Sequence, residues 1–406
     1  MNNIAFDLFA NHRAGVFRYG TSLARYICLA LQDYPSLSVH FLLDTTTPPP
    51  IIESELPYEV QKRVRFIRFD RSGQFLPDLA ELRQWLIDNK IDIYYSSNYI
   101  VDIQCPVKFM FTIHDLTRIL YPSYSYTDTE FIKKYGNHEY EKLKIALTKM
   151  KDSTSDFLSE SFSFSQFFWT ANLYLGKKAE HIFTVSNSVK EDLIRVLNIP
   201  TEKISVISGG ARDDIFYRRS EQDVVSTLNE LDIVRPYCLC VGLRHKHKRL
   251  QQLLEGIDRN RSKIPINGKI ILVGDNDYQK LVCQNDLSKY IQPIGYVTDE
   301  QLACLYTGAE ATIITSVGEG FCLPAQESLL CGTNVISSDT QVLRETIGNA
   351  GYFYPYRDFD MLFEFIVQAL NRELGDKSML FSKKHSWPLA ATQLLDTIFN
   401  HILSSH

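Results

Sequence analysis

The sequence predicts two doubly wound α/β domains, each a mostly parallel sheet with helices on both faces. Three observations predict it. The chain has 406 residues, more than one core usually serves, since domains run to roughly 100–200 residues. Two successive sets of short apolar strands alternate with helical patterns, the order that produces parallel sheets. A charged stretch between Asp214 and Arg235 separates the sets and reads as a connection.

The first set starts with a strand at Ile4–Phe9, a polar loop containing Gly15, and a helix from Val16 to Leu31 with Leu23, Ile27, Ala30 and Leu31 on one face. Further strands are read at Val39–Leu43, Val64–Phe69, Ile91–Ser96, Phe109–Ile113, His181–Ser186 and Ile204–Ile207, with a helix at Asp78–Asn89. The second set reads as strands Tyr237–Val241, Lys269–Val273, Ile291–Ile294, Ala311–Thr315 and Asn334–Ser337, with a helix at Arg249–Ile257. The expected division is a first domain over 1–215, a linker over 216–235, a second domain over 236–385 and a terminal segment over 386–406. Ligands of such sheets sit beyond the carboxyl ends of the strands, so two facing domains would enclose a cleft.

Composition narrows the function. Hydrophobic residues make up 45% and charged residues 22%, as in soluble globular proteins. A formal net charge of -5 gives no reason to expect nucleic acid as partner. The eight cysteines are scattered and several lie in apolar runs, as in Tyr237-Cys238-Leu239-Cys240-Val241. Buried free thiols in a reducing cytosol are the expected reading. Neither a signal peptide nor a run of ~18 apolar residues is seen, so a cytoplasmic location is expected. Work on a lipid-linked substrate would bring the protein to the inner face of the membrane peripherally.

The most informative stretch is Glu319-Gly320-Phe321-Cys322-Leu323-Pro324-Ala325-Gln326-Glu327. It follows a strand and opens a helix read at Pro324–Cys331, with proline favoured in the first turn. Backbone N–H groups at a helix start behind a glycine-containing loop suit a diphosphate. Glu327 can accept from a ribose diol, and Glu319 on the loop can approach a transferred sugar. Two surface glutamates would be the bland alternative.

This stretch resembles the signature of glycosyltransferase family 4: an acid, Gly-Phe-Gly-Leu-Pro, and a second acid eight positions after the first. Cys322 departs from it, adding bulk where glycine is usual and where the backbone approaches the donor. The resemblance runs along most of the chain. Val206-Ile207-Ser208-Gly209-Gly210 is similar to the family's strand and glycine before the hinge. Phe183-Thr184-Val185-Ser186-Asn187-Ser188-Val189 is similar to its serine-initiated helix. Gly295-Tyr296-Val297-Thr298-Asp299-Glu300 resembles the loop that holds the base, which assigns Val297 to the donor. Ser386-Trp387-Pro388-Leu389 resembles the terminal helix that crosses back to the first domain. The implied architecture is GT-B.

Val241-Gly242-Leu243-Arg244-His245-Lys246-His247-Lys248-Arg249 ends the first strand of the second set. Cations there, beside Gly242, would neutralise a leaving diphosphate without a metal, a large catalytic contribution; a solvated charge run is the alternative. Lys248 matches the family lysine. Leu243 and His247 stand where arginines are common, which leaves Arg244 as first replacement and Lys246 as second. The nearest candidates for an Asp-x-Asp metal motif, Asp213-Asp214 and Asp275-Asn276-Asp277, read as hinge and as a turn after strand Lys269–Val273, so no metal and no cofactor are expected.

In the first set, Gly15-Val16-Phe17-Arg18-Tyr19 resembles the Gly-Ile-Gly-Arg-Tyr segment of bacterial family members, with Gly15 letting backbone approach the donor. Arg18 is read as ligand contact or helix brace. Phe111-Thr112-Ile113-His114-Asp115 ends a strand in His-Asp. The family has a histidine close to the transferred sugar there. That role is carried to His114, with Asp115 orienting it or contacting acceptor.

The resemblance implies a retaining transfer of a hexose from a nucleotide-sugar to a glycan or lipid-linked acceptor, with no protein nucleophile. His114, Glu319 and Lys248 would be catalytic. Gly15, Gly242, Arg244, Lys248, Val297, Gly320, Phe321, Cys322, Leu323 and Glu327 would bind donor. His114-Asp115-Leu116-Thr117 with Tyr121-Pro122 resembles the branch that builds surface polysaccharides from mannose and rhamnose. GDP-mannose is therefore the first donor, with UDP-glucose and UDP-N-acetylglucosamine as alternatives. An epimerase or phosphorylase of the same architecture, and a degenerate sugar-nucleotide or polysaccharide-binding scaffold, are the competing readings. An NAD enzyme lacks its Gly-x-Gly-x-x-Gly after the first strand. An insert over about 127–178 holds a basic helix from Phe131 to Lys151 and an aromatic stretch from Phe157 to Trp169. Packing on the first domain, acceptor recognition and peripheral membrane contact through 131–169 are its three readings.

Overall fold

The computed structural model describes residues 2–9, 15–71, 79–99, 101–151, 163–243, 245–275, 277–381 and 384–403. The chain divides into two units, 1–209 with 385–406, and 210–384.

The first unit contains β1 (Asn2–Asp7), β2 (Leu37–Asp44), β3 (Val64–Phe69), β4 (Ile93–Ser96), β5 (Lys108–Ile113), β6 (His181–Thr184) and β7 (Ile204–Val206). They form one sheet in the order β3-β2-β1-β4-β5-β6-β7, and the pairings are parallel. Every residue of β2 is buried, which is why it reads as an apolar run rather than an alternation. At the carboxyl end of β1, Asp7 pairs with Arg71 at 2.7 Å, both nearly inaccessible, and the Tyr94 hydroxyl donates to the same carboxylate at 2.5 Å. Arg71 lies between the Phe9 and Phe69 rings.

Helix Gly15–Ala30 buries Tyr19, Leu23, Ala24 and Ile27. The terminal helix Trp387–Leu403 packs against it, burying Ala390, Ala391, Leu394, Leu395 and Ile398. Gly209 admits this packing: a Cβ there would stand 2.2 Å from the Trp387 ring.

The second unit contains β8 (Tyr237–Val241), β9 (Lys269–Val273), β10 (Ile291–Gly295), β11 (Ala311–Ile314), β12 (Asn334–Ser338) and β13 (Gly351–Tyr354). Its sheet order is β10-β9-β8-β11-β12-β13, again parallel. Cys238 and Cys240 lie in its core with Leu253, Ile270 and Phe363.

Two expectations need correction. The segment 216–235 is no linker: Ser220 caps a helix over Glu221–Glu230 that buries Val224 and Leu228 and packs on helix Asp299–Gly308. The basic helix expected over 131–151 is two helices, Asp128–Tyr135 and Asn137–Lys151, broken at Gly136, whose φ of 89° suits glycine. Of the three readings of that insert, its described rings follow packing: Phe131, Phe164, Phe167 and Phe168 are buried and Tyr135 and Trp169 half-buried, so the four phenylalanines are unavailable to a membrane; 152–162 lie outside the described residues. Strand β13 was not anticipated.

His181 opens β6, bonded to the Ser205 hydroxyl at 2.9 Å, with the His401 ring 5.4 Å away. Burial, then His401, Lys190 and Lys203, push its pKa down to about 4. The unfolded chain therefore binds this proton first, and stability falls as pH drops from 6.5 towards 4, by about 3 kcal/mol at most. The three tryptophans, Trp85, Trp169 and Trp387, all belong to the first unit, so urea unfolding followed by their fluorescence reads it. His181→Asn is expected to flatten that pH slope; parallel slopes would refute the assignment. Gly209→Ala is expected to cost about 1–3 kcal/mol by overpacking against Trp387, read by the same fluorescence.

Candidate functional site

In the second unit the strand order reverses beside β8. β9 and β10 extend to one side and β11 to β13 to the other. Loops leaving β8 and β11 therefore diverge, and the carboxyl end between them is the crevice where such sheets take ligands.

The loop after β8 starts at Gly242, whose φ is 69° and whose absent Cβ would meet nothing within 4 Å. A 3₁₀ turn spans Lys246–Lys248. Arg249, at φ 59°, is buried, donates to the Tyr356 carbonyl and covers the Phe359 ring at 4.5 Å. It anchors the end of the turn to the segment that follows β13.

That second loop is tied to the first. The Val317 N–H donates to the His247 carbonyl at 3.0 Å, and the Thr315 hydroxyl donates to the Lys248 carbonyl. The Lys248 ammonium donates to Oε1 of Glu319, which also accepts from the Ser316 hydroxyl at 2.7 Å. The two side chains are 17% and 10% exposed. Burial pushes the Glu319 carboxyl up, but Lys248, His247 and the two hydrogen bonds outweigh it and hold the pKa below the usual glutamate value. The site thus holds an ionised acid and a cation facing one another.

Gly320 and Phe321 follow, and Thr346 fixes the Phe321 carbonyl at 2.6 Å. Cys322 precedes the helix Leu323–Leu330 with φ 69°, the left-handed region that favours glycine. Its side chain lies in a core cluster with Ile314, Ala325 and Leu329. The bulk expected against a donor is thus accommodated in the core, at a backbone cost. Burial first, then Glu319, pushes this thiol up to about 12, so it stays protonated. The helix begins at Leu323 rather than Pro324, leaving proline second. Glu327, one turn on, is buried and accepts from Tyr306 at 2.9 Å. Val297, half-buried, lies between β10 and the Thr298 cap of the next helix. Arg244, the first candidate for the displaced arginine, lies outside the described residues; Lys246 is exposed.

In the first unit, His114 follows β5. Its Nε2–H donates to the Ser97 carbonyl at 2.8 Å, which leaves Nδ1 as the acceptor nitrogen. The Tyr19 ring stands edge-on to it at 4.8 Å, while the Tyr19 hydroxyl reaches the Ile207 carbonyl. Burial lowers the imidazole pKa, against smaller raising effects of the Ser97 bond and Asp115, so the ring is neutral at pH 7. The Ser97 carbonyl orients it. The Asp115 carboxylate accepts from the Thr117 N–H at 2.8 Å and is exposed. Gly15 is the first residue of helix Gly15–Ala30, exposed, with nothing within 4 Å of an added Cβ. Arg18 is half-buried on that helix.

The structure thus brings Lys248, Glu319, Cys322 and Glu327 together in one unit, and Gly15, Arg18, His114 and Asp115 on the other. Sequence reasoning missed Ser316, Tyr306 and Ser97, which hold Glu319, Glu327 and His114. Only Ser316 left a signal, as a small polar residue beyond a strand end and three before the acid.

Comparison with known proteins follows this division. Residues 24–214 match the family described as Glycosyltransferase Family 4, and 229–384 match Glycosyl transferases group 1. The chain is similar to O-antigen chain mannosyltransferase B of Escherichia coli, 28% identical over 229 residues, covering 54% of this chain and 60% of that protein. It is also similar to the O-antigen chain mannosyltransferase RfbU of Salmonella typhimurium, 28% identical over 182 residues, covering 44% and 47%. The chain thus spans about half the length of these relatives. Among solved structures, sucrose-phosphate synthase of Thermosynechococcus elongatus aligns over 100% of both chains with TM-score 0.65 and 17% identity. HepE of Anabaena, solved with UDP and glucose, aligns over 98% of this chain and 100% of its own with TM-score 0.63 and 16% identity. At those identities the structures speak for the fold alone. Two parallel sheets, two family models that between them cover most of the sequence, and the Glu319–Glu327 motif give one assignment: the chain belongs to glycosyltransferase family 4, with the GT-B fold.

Proposed function

We propose that the chain is a retaining, metal-independent hexosyltransferase of surface-polysaccharide synthesis, moving mannose from GDP-mannose to a glycan or lipid-linked acceptor. The observation that carries the reading is the Lys248–Glu319 pair at the carboxyl ends of β8 and β11, just before the helix Leu323–Leu330. An ionised acid beside a cation and a helix start suits a donor with hydroxyls at one end and a diphosphate at the other. The names of the relatives, O-antigen mannosyltransferases, favour mannose.

In this reading the second unit takes the donor. Lys248 and the N–H groups from Gly320 to Leu323 meet the diphosphate, Glu319 accepts hydroxyls of the transferred sugar, and Glu327 those of the ribose. Gly242 leaves room for the phosphates, Val297 meets the base, and Arg244 adds charge. The first unit takes the acceptor. His114, neutral with Nδ1 available as acceptor, addresses the transferred sugar; Gly15 serves the phosphates; Arg18 and Asp115 are support. No carboxylate is needed as a nucleophile when the acceptor attacks the sugar from the face the diphosphate leaves, nor as a base, because the leaving phosphate takes the acceptor's proton; charge compensation comes from fixed cations rather than a metal. UDP-glucose is the second reading, favoured by HepE, which was solved with UDP-glucose. None of the described helices is long and apolar enough to cross a membrane; a cytoplasmic location with peripheral access to a lipid-linked acceptor goes with the proposal.

Slow hydrolysis of GDP-mannose without acceptor, followed by release of mannose in EDTA, tests it. Glu319→Gln is expected to lower the rate about 10²–10³-fold, the scale of one lost preorganised group. An unchanged rate would remove Glu319 from the reaction, and a rate abolished by EDTA in the wild type would remove metal independence.

A further inference from the structure

The segment that follows His114 holds two cations that the proposed reaction does not use. Arg118 lies on the short helix Thr117–Leu120 after β5, which packs against the helix Phe164–Lys178. Its guanidinium carbon stands 4.6 Å from the centre of the Phe168 ring and 5.7 Å from that of Tyr126. Lys134, exposed on the helix Asp128–Tyr135, stands 4.9 Å from the centre of the same Tyr126 ring and donates to its hydroxyl at 2.6 Å. One ring thus carries a cation from each of two helices. Resting on the reading above that the first unit takes the acceptor, we propose that Arg118 and Lys134 form a binding site for an oxyanion of that acceptor, a phosphate or a carboxylate.

Unmade hydrogen bonds and uncompensated charge carry the argument. Among the described residues neither cation has an ion pair, and Arg118 makes no hydrogen bond. Its Nη1 is buried without an acceptor, although a charged N–H removed from water costs stability unless it is bonded. The acids of the same segment are engaged elsewhere. Asp115 accepts from the Thr117 N–H, Asp128 from the Tyr140 hydroxyl at 2.6 Å and Glu130 from the Thr127 N–H at 2.9 Å. The ring faces attract the guanidinium and hold it in place, but they leave its N–H groups unanswered. A half-buried, positioned arginine with open donors suits a phosphate or carboxylate, whose two oxygens its fork can meet together. Lys134 adds charge from the solvent side. The location fits an acceptor. The Tyr99 ring stands edge-on to Phe168 at 5.0 Å, two residues beyond Ser97, whose carbonyl fixes His114. The oxyanion site and His114 therefore rest on the same two loops, those after β4 and β5.

The test is calorimetric titration of the full chain with farnesyl-diphosphate-linked glucose for the phosphate, methyl glucuronide for the carboxylate and methyl glucoside as the neutral probe. An anionic probe is expected to bind about tenfold or more tightly than the neutral one, and the tighter of the two anions names the source. Arg118→Gln is expected to lower that affinity about 10–100-fold, the scale of hydrogen bonds to a charged group, and to leave the neutral probe unchanged. Arg118→Lys keeps the charge without the fork and falls between. Lys134→Gln, an exposed change that guards against an Arg118 variant that merely fails to fold, lowers it about threefold. Equal affinity for anionic and neutral probes overturns the proposal, as does an anion affinity that neither Arg118→Gln nor Lys134→Gln changes. So does an equal loss in Lys248→Ala, which would put the anion at the donor site instead. GDP-mannose is titrated separately: a preference for the anion that depends on Arg118, without binding of GDP-mannose, would overturn the donor reading and leave this site standing.

Discussion

The pairing of Lys248 with Glu319 is the constraint on which the second unit's site depends. It joins the two loops that leave the sheet at the point where strand order reverses. Backbone and hydroxyl bonds from Val317 and Thr315 hold the same two loops together, so the charged groups are fixed before any ligand arrives. A buried ion pair contributes little net stability, because desolvation offsets its attraction. The arrangement makes sense as preorganisation, since an acid and a cation already oriented need no rearrangement when substrate charge develops.

The first unit uses a different device for the same end. Its crevice loops start from a carboxylate, Asp7, saturated by Arg71 and Tyr94, and from a histidine locked by a backbone carbonyl. Asp7–Arg71 is, like Lys248–Glu319, a buried ion pair, but the locked histidine adds a neutral ring with a defined tautomer, which is the kind of group expected if the first unit handles a neutral hydroxyl.

Much of the fold was legible in the sequence, because buried parallel strands are written as short apolar runs. Val64–Phe69, Tyr237–Val241 and Lys269–Val273 were read with the bounds the structure gives them. β13 escaped because Gly351-Tyr352-Phe353-Tyr354 is short, begins with glycine and lies at a sheet edge with two residues half-exposed. The helix at Glu221–Glu230 was hidden by its charged outer face, although Val224 and Leu228 mark its buried side. Site residues carried by local pattern, Glu319, Lys248 and Glu327, could be named in advance. Their partners could not: Tyr306 is 21 residues from Glu327, and Ser97 is 17 from His114. Those pairings exist only once the sheet has formed. The left-handed backbone at Cys322 accounts for why glycine would be at ease there, and the core pocket beneath it accounts for how a thiol is tolerated.

The most direct measurement of the central claim is a thermal-shift series with GDP-mannose, UDP-glucose, UDP-N-acetylglucosamine and ADP-glucose in EDTA, on the wild type and on Lys248→Ala. The account predicts stabilisation by one of these donors in the presence of EDTA, largely lost without the Lys248 ammonium. No shift with any donor at millimolar concentration, or an equal shift in Lys248→Ala, would contradict it.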